Sequence, residues 1–195
     1  MKNFIDPTAK IGESSKIGMY SVIEPNVKIG QNCVIGNNVV IHSETEIGDN
    51  VRIDDHTVIG KLPLRAKQSK TTSEKKLSPA KIGEGCLIGT SAVIYAGATL
   101  GKGVLIADLA TVREDVTIGD FTIIGRGVAV ENLCRIGSYC KLETNSYITA
   151  YSELGDYVFI SPGVVTSNDN FVGRTKERVK FYKGVTVKKG GRIGA

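Results

Sequence analysis

The chain of 195 residues has no tryptophan, two methionines, two histidines and five prolines, and its aromatic residues make up 6%. So few rings exclude a core built on aromatic clusters and point to an aliphatic one. No apolar run approaches the ~20 residues that a membrane-spanning helix needs. The two histidines, His42 and His56, lie in the first third of the chain, so a three-histidine zinc centre cannot be assembled from one chain. No glycine-rich phosphate loop and no G-x-S-x-G nucleophile elbow is present. The opening "MKNFIDPTAKIG" enters the pattern described below almost at once and has no apolar leader, so a cytoplasmic protein is expected.

What is present is a period of six. An aliphatic residue recurs from Ile11 through Ile17, Ile23 and Ile29 to Ile59, again from Ile82 through Ile106, Ile124 and Leu142 to Ile160, and finally at Val187 and Ile193. That makes twenty-five repeats. Two residues before each stands something small or β-branched, such as Ser21, Cys33, Ala92, Val116 or Cys140. Residues at i−2 and i of an extended strand share one side, so each unit points one slim and one bulky side chain inward. Fourteen of the twenty-three glycines follow the aliphatic residue, where a corner needs an unrestricted backbone. Strands this short bury a face only by stacking into shared coils.

Three strands per coil give an eighteen-residue repeat, and the glycine positions support three. Gly83, Gly101, Gly119, Gly137 and Gly155 form one series without exception, whereas Tyr95, Arg113, Glu131 and Thr149 form another with no glycine. One corner is therefore expected to be tight and unadorned, and another to display side chains. At about 4.8 Å per stacked strand, roughly eight coils make a rod ~40 Å long. The reading is one all-β domain over residues 1–195, with coils at 9–60 and 80–161, external loops at 61–79 and 162–184, and a final partial coil at 185–195. All four cysteines fall on the slim inward position and read as small buried hydrophobes rather than metal ligands.

Stretches such as "KIGQNCVIG" and "EIGDNVRI" resemble the hexapeptide-repeat acyltransferases, whose fold is a left-handed parallel β-helix. "SAVIYAGATLGKGVLIADLATVRE", "GRGVAVEN", "TNSYITAYS" and "SPGVVTSNDN" are most similar to the bacterial N-acyltransferases of nucleotide-linked amino sugars. The left hand is implied by this resemblance, not by the periodicity. The resemblance also implies a homotrimer with active sites between subunits, acyl-coenzyme A (acetyl or longer) as co-substrate, and no metal. It further implies that the first block and the insert bind the nucleotide sugar and the late coils coenzyme A.

The charge, net +5, is uneven. Residues 61–80 carry Lys61, Arg65, Lys67, Lys70, Lys75 and Lys76 against Glu74 alone. The second break, residues 161–192, has eight basic residues against Asp169 and Glu177. Solvated loops and nucleic acid are the competing readings. No aromatic interleaving of single-strand binders and no nucleic-acid motif accompanies these charges, so neither nucleic acid nor membrane is an expected partner. The resemblance favours coenzyme A and a nucleotide sugar, with Asn168, Asp169, Arg174, Lys188, Lys189 and Arg192 as the coenzyme A set.

Relatives that acylate hydroxyls use a catalytic histidine, and this chain has none after His56. His42 shares the eighteen-residue series with Glu24 and reads as an exposed paired histidine. An amine acceptor needs less: a carboxylate can position it and take its proton. Asp108 and Glu131 are the candidate catalytic carboxylates, with Tyr95, Arg113, Asn132, Asn145, Tyr147 and His56 as substrate contacts. An Arg113–Glu131 surface ladder that merely steadies the stack is the bland alternative. The leading expectation is thus an acyl-coenzyme A-dependent N-acyltransferase for surface polysaccharide or glycan synthesis. A non-catalytic β-helix used for binding or assembly is the alternative, and a zinc-dependent anhydrase a third reading.

Overall fold

A computed structural model describes residues 2–67 and 75–195; Lys70 and Glu74 of the insert lie outside the described residues. The chain winds into three parallel sheets of eight, nine and nine short strands, each strand pairing with those one coil before and after. Val22–Ile23 pairs with Val40–Ile41 on the first face, Lys28–Ile29 with Glu46–Ile47 on the second, and Val34–Ile35 with Arg52–Ile53 on the third. The result is the triangular prism of a β-helix. Its first strand is Phe4–Ile5, one repeat earlier than the isoleucine series suggests, and an isolated bridge from Val165 to Tyr147 carries the regular coil a few residues past 161.

The bulky inward residues from Ile23 to Ile160 are at most 4% exposed and form one continuous core with the slim residues. Full burial of such a side chain is worth ~1.5–3 kcal/mol. The slim position does more than save space. Ser21, Thr57 and Thr122 donate their hydroxyls to the carbonyls of Gly36, Gly89 and Gly137 at 2.8–2.9 Å. Cys33, Cys86, Cys134 and Cys140 donate their thiols in the same way to Gly48, Gly101, Thr149 and Gly155 at 3.1–3.2 Å. Each donor gives a corner carbonyl a partner, in addition to the Ala92 N–H at Gly89 and the Ser152 hydroxyl at Thr149.

The corner glycines differ from expectation. Positive φ falls two residues later, at Asn32, Asn38, Asn50 and their equivalents. The glycine is required by close approach instead: a Cβ on Gly12 would stand 2.5 Å from the carbonyl carbon of Gly30. Nor is the glycine corner unadorned. Phe121, Tyr139 and Tyr157 sit there at φ 54–60°, stacked with centroids 5.4 and 5.1 Å apart, and Lys189 covers the last ring at 5.5 Å.

The insert leaves the prism at Gly60, where φ is +81° and the strand register slips between Ile59 and Lys61. Among the described residues two inward hydroxyls lack a hydrogen-bond partner, Ser146 Oγ and, beside the insert, Thr45 Oγ1. By the pattern of its neighbours the Thr45 acceptor would be the Gly60 carbonyl, which this slip displaces. The stack itself continues past the insert, Glu46–Ile47 pairing directly with Lys81–Ile82.

Candidate active site

The corner between the first and second faces lacks the glycine series, and both breaks in the repeat emerge from it. Here Tyr95, Arg113 and Glu131 stack one coil apart. Arg113 lies over the Tyr95 ring at 5.0 Å, and Lys61 approaches the same ring at 5.1 Å. Its guanidinium donates through Nε and a terminal nitrogen to Glu114 at 2.8 and 3.1 Å, and through the other nitrogen to Glu131 Oε2 at 3.5 Å. Asn132 is buried beside them, and the Tyr147 phenol lies close enough to Glu131 for each to affect the other's ionisation. Burial pushes the Glu131 carboxyl above its ordinary range; Arg113 pulls it down, and the negative charge of Glu114 pushes it up again. Burial likewise raises the Tyr147 phenol, with Glu131 adding to the shift. A desolvated carboxylate only loosely held by its cation is suited to accept a proton.

Glu114 is absent from the sequence-based site. It is 3% exposed, an uncommon state for a carboxylate. The available signal was its place next to Arg113 in "VRED" on the non-glycine corner.

Asp108 stands elsewhere. It belongs to the corner between the third and first faces, where Oδ1 accepts the Thr90 N–H at 2.8 Å. Asp49, Asp55, Asp120 and Asp156 each make the same bond to the coil before, at 2.6–2.9 Å, so this is the general turn cap of the solenoid. Asp108 and Glu131 therefore do not meet within one chain. Asn145 and His56 lie on the corner of Asp108, both as turn residues with φ of 58° and 60°.

The coenzyme A set is also dispersed. Asp169 organises the second loop, accepting the N–H groups of Phe171 and Gly173 at 3.0 Å and Arg178 at 2.7 Å. Burial opposes ionisation of Asp169, but these bonds hold its pKa below the usual carboxylate value. The Asn168 carbonyl accepts the Lys183 N–H at 3.4 Å, and Arg174 is exposed on the same loop. Lys188 and Lys189 turn the glycine corner, and Arg192 lies on the third face in the strand Arg192–Ile193.

The expected Glu24–His42 pair is present. Glu24 Oε1 lies 3.0 Å from His42 Nδ1, and Oε2 accepts both the N–H and the hydroxyl of Ser43 at 2.9 Å. These residues wall a cavity of 780 Å³ between the first corner and the insert. Leu62, Pro63, Leu77 and Pro79 give it apolar sides, and Lys61, Arg65, Lys75 and Lys76 a cationic rim. Lys75 is engaged with Asp115 at 3.1 Å. Among the described residues, no group of three or more His, Cys, Asp or Glu side chains is placed to hold a metal.

The sequence matches the bacterial transferase hexapeptide (six repeats) at residues 8–43 and 79–113. The two matched stretches, 36 and 35 residues long, make up about a third of the chain and carry its hexapeptide repeat. Its structure is similar to that of a UDP-N-acetylglucosamine acyltransferase from Bacteroides fragilis, with a TM-score of 0.78 and 28% identity over 85% of this chain and 66% of that one. The enzyme of that name from Francisella novicida matches with a TM-score of 0.60 and 26% identity over 83% of this chain and 62% of that one. The one from Campylobacter jejuni, at 21% identity, a TM-score of 0.75, and 92% and 79% coverage, shares the fold. The chain thus spans just under two thirds of the Bacteroides protein. A search of curated proteins by sequence gives no match.

Proposed function

We propose that this hexapeptide-repeat protein is an acyl-coenzyme A-dependent N-acyltransferase acting on the amino group of a nucleotide-linked amino sugar. The observation that carries this reading is Glu131, half-buried at the decorated corner with its carboxyl pKa raised and flanked by Arg113, Tyr95 and Tyr147. Its likeness to sugar-nucleotide acyltransferases, by the names they bear, supports the reaction class.

Coenzyme A supplies the acyl group as a thioester, whose carbonyl needs little activation beyond an oxyanion donor. Glu131 accepts one proton from the incoming ammonium and so frees its lone pair for attack. The second proton leaves the nitrogen as the carbon–sulfur bond breaks, and the departing thiolate takes it. The 780 Å³ cavity beside Lys61 and Ala96 adjoins this corner, and apolar walls with a cationic rim suit a base and its phosphates. Lys188, Lys189 and Arg192 carry the charge to meet the phosphates of coenzyme A, and Arg174 adds a bidentate fork.

A homotrimer brings these separated groups together. The outward residues of the first face, Phe4, Val22, Val40, Val58, Val93, Thr111, Ala129 and Tyr147, include no charge. Those of the second include Lys10, Lys28, Glu46, Lys81, Arg135 and Glu153. An uncharged face suits burial against another copy and a charged one suits water. On this arrangement Asp108 of one copy reaches the site of its neighbour.

Purified protein, acetyl-coenzyme A and a panel of amino-deoxysugar nucleotides test the proposal by thiol release. Release with an amine acceptor supports it; release only with hydroxyl acceptors overturns it. One observation favours that second outcome. Glu24 fixes the His42 ring through Nδ1, so His42 Nε2 could serve as base for a hydroxyl in the cavity.

A further inference from the structure

Arg113 and Glu114 are neighbours in sequence, and on a regular strand their side chains would point apart. At the decorated corner they meet instead, and Glu114 holds the Nε edge of the guanidinium at two points, 2.8 and 3.1 Å. A charge-assisted bond from arginine to carboxylate is commonly ~2.7–2.9 Å, so the 3.5 Å contact to Glu131 is a loose one. Tyr95 beneath the guanidinium fixes its plane, with the ring centroid 5.0 Å away. A surface ladder of Arg113 and Glu131 would need neither Glu114 nor its burial, since the Glu114 side chain is 4% exposed against 24% for Glu131. Burying a carboxylate is costly unless it is paired, and here the pairing draws the cation off its other partner.

We propose that Glu114 is a positioning residue for the acyl-transfer site: by holding Arg113 at two points, it stops the guanidinium closing on Glu131 and leaves that carboxylate free to accept a proton. The inference rests on Glu131 being the proton acceptor of the proposed function. The titratable and charged groups around Glu131 are Arg113 and Glu114 from the coil before, Tyr147 from the coil after and Cys134 behind, with Tyr95 and Lys61 beyond the guanidinium. Among them Arg113 lowers the Glu131 pKa and Glu114 raises it, so removing the charge of Glu114 acts in one direction only.

The test is Glu114→Gln. Gln retains an oxygen that can accept from Arg113 but gives up the charge that competes with Glu131. A ¹³C-carboxyl titration of Glu131, assigned with Glu131→Gln, reads the effect without any turnover. The Glu131 midpoint is expected to fall by about one pH unit or more, the usual effect of a closely paired cation. In the wild type the acid limb of kcat/KM is expected to follow the same midpoint, and in the variant to move down with it. An unmoved midpoint overturns the proposal even if activity falls, because a purely structural role would lower activity without shifting a titration. A shifted midpoint in a protein that acylates no amine leaves the positioning role standing and sinks the functional reading. Should the Gln variant not fold, Glu114→Asp, too short to hold both nitrogens, must also lower the midpoint; no shift there overturns the proposal.

Discussion

Replacing Thr122 by Val tests whether the slim inward position is a hydrogen-bonding site or only a narrow one. The Thr122 hydroxyl donates to the Gly137 carbonyl at 2.8 Å and accepts the Cys140 N–H at 3.0 Å, clipping one corner to the next coil. Valine has nearly the same shape, but the missing hydroxyl makes the exchange far from neutral. It leaves a buried carbonyl and a buried N–H without partners, each costing ~1–3 kcal/mol, while the added methyl recovers about 1 kcal/mol. The net loss is about 1–5 kcal/mol. For a domain of this size that is a fall in Tm of roughly 2–4 °C per kcal/mol. Urea unfolding followed by far-UV dichroism, with parent and variant at the same protein concentration, measures the loss. Thr122→Ser, which retains both bonds, is expected to lose less than Val. A Val variant within about 0.5 kcal/mol of the parent would refute the reasoning and return the slim position to sterics alone.

Glu131→Gln is expected to lower turnover roughly tenfold or more with an unchanged sedimentation coefficient, by thiol release and sedimentation. Asp108→Asn is expected to leave stability unchanged, since Asn37 accepts the Met19 N–H at 2.8 Å in the equivalent turn; its effect on turnover reports whether this corner reaches a neighbour's site. Burial pushes the Cys134 thiol up to about 11, so it is expected to resist an aromatic disulfide reagent at pH 8 until the chain is unfolded. Fast labelling of Cys134 in the native protein would contradict its buried environment. The lowered pKa of Asp169 means its loop contacts stabilise the fold above the ordinary carboxylate range and are lost as pH falls through the lowered value. Limited proteolysis of residues 167–184 is therefore expected to accelerate only below about pH 4.

The column was legible because burial repeats every six residues. The isoleucines from Ile23 onward face inward as their spacing requires; Ile5 and Ile11 are 40% and 37% exposed because no coil stacks beneath them. The Arg113–Glu131–Tyr95 stack was legible from the eighteen-residue spacing. The same arithmetic separates Asp108 from Glu131, since twenty-three residues is not a whole number of coils. Glu114 was harder to see. The repeat allots its position to a turn, yet Ala96, Asn132 and Ala150, at eighteen-residue spacing from it, are buried as well, so the corner itself covers Glu114. The Asp108 cap was equally hidden, because its partner is a backbone N–H one coil away. The glycine after each isoleucine was identified for a torsion angle, whereas its purpose is the narrow gap between coils.

The direct pairing of Glu46–Ile47 with Lys81–Ile82 around the insert has an evolutionary consequence. The column is spliced shut behind the insert, so the segment between Lys61 and Ser78, whose carbonyls accept the Ala96 and Gly97 N–H groups, can change length or composition without breaking the coil it springs from. Doubling such a segment costs only about 0.6 kcal/mol of chain entropy. Descendants could exchange it as an interchangeable visor, acquiring new preferences while inheriting the shaft unaltered.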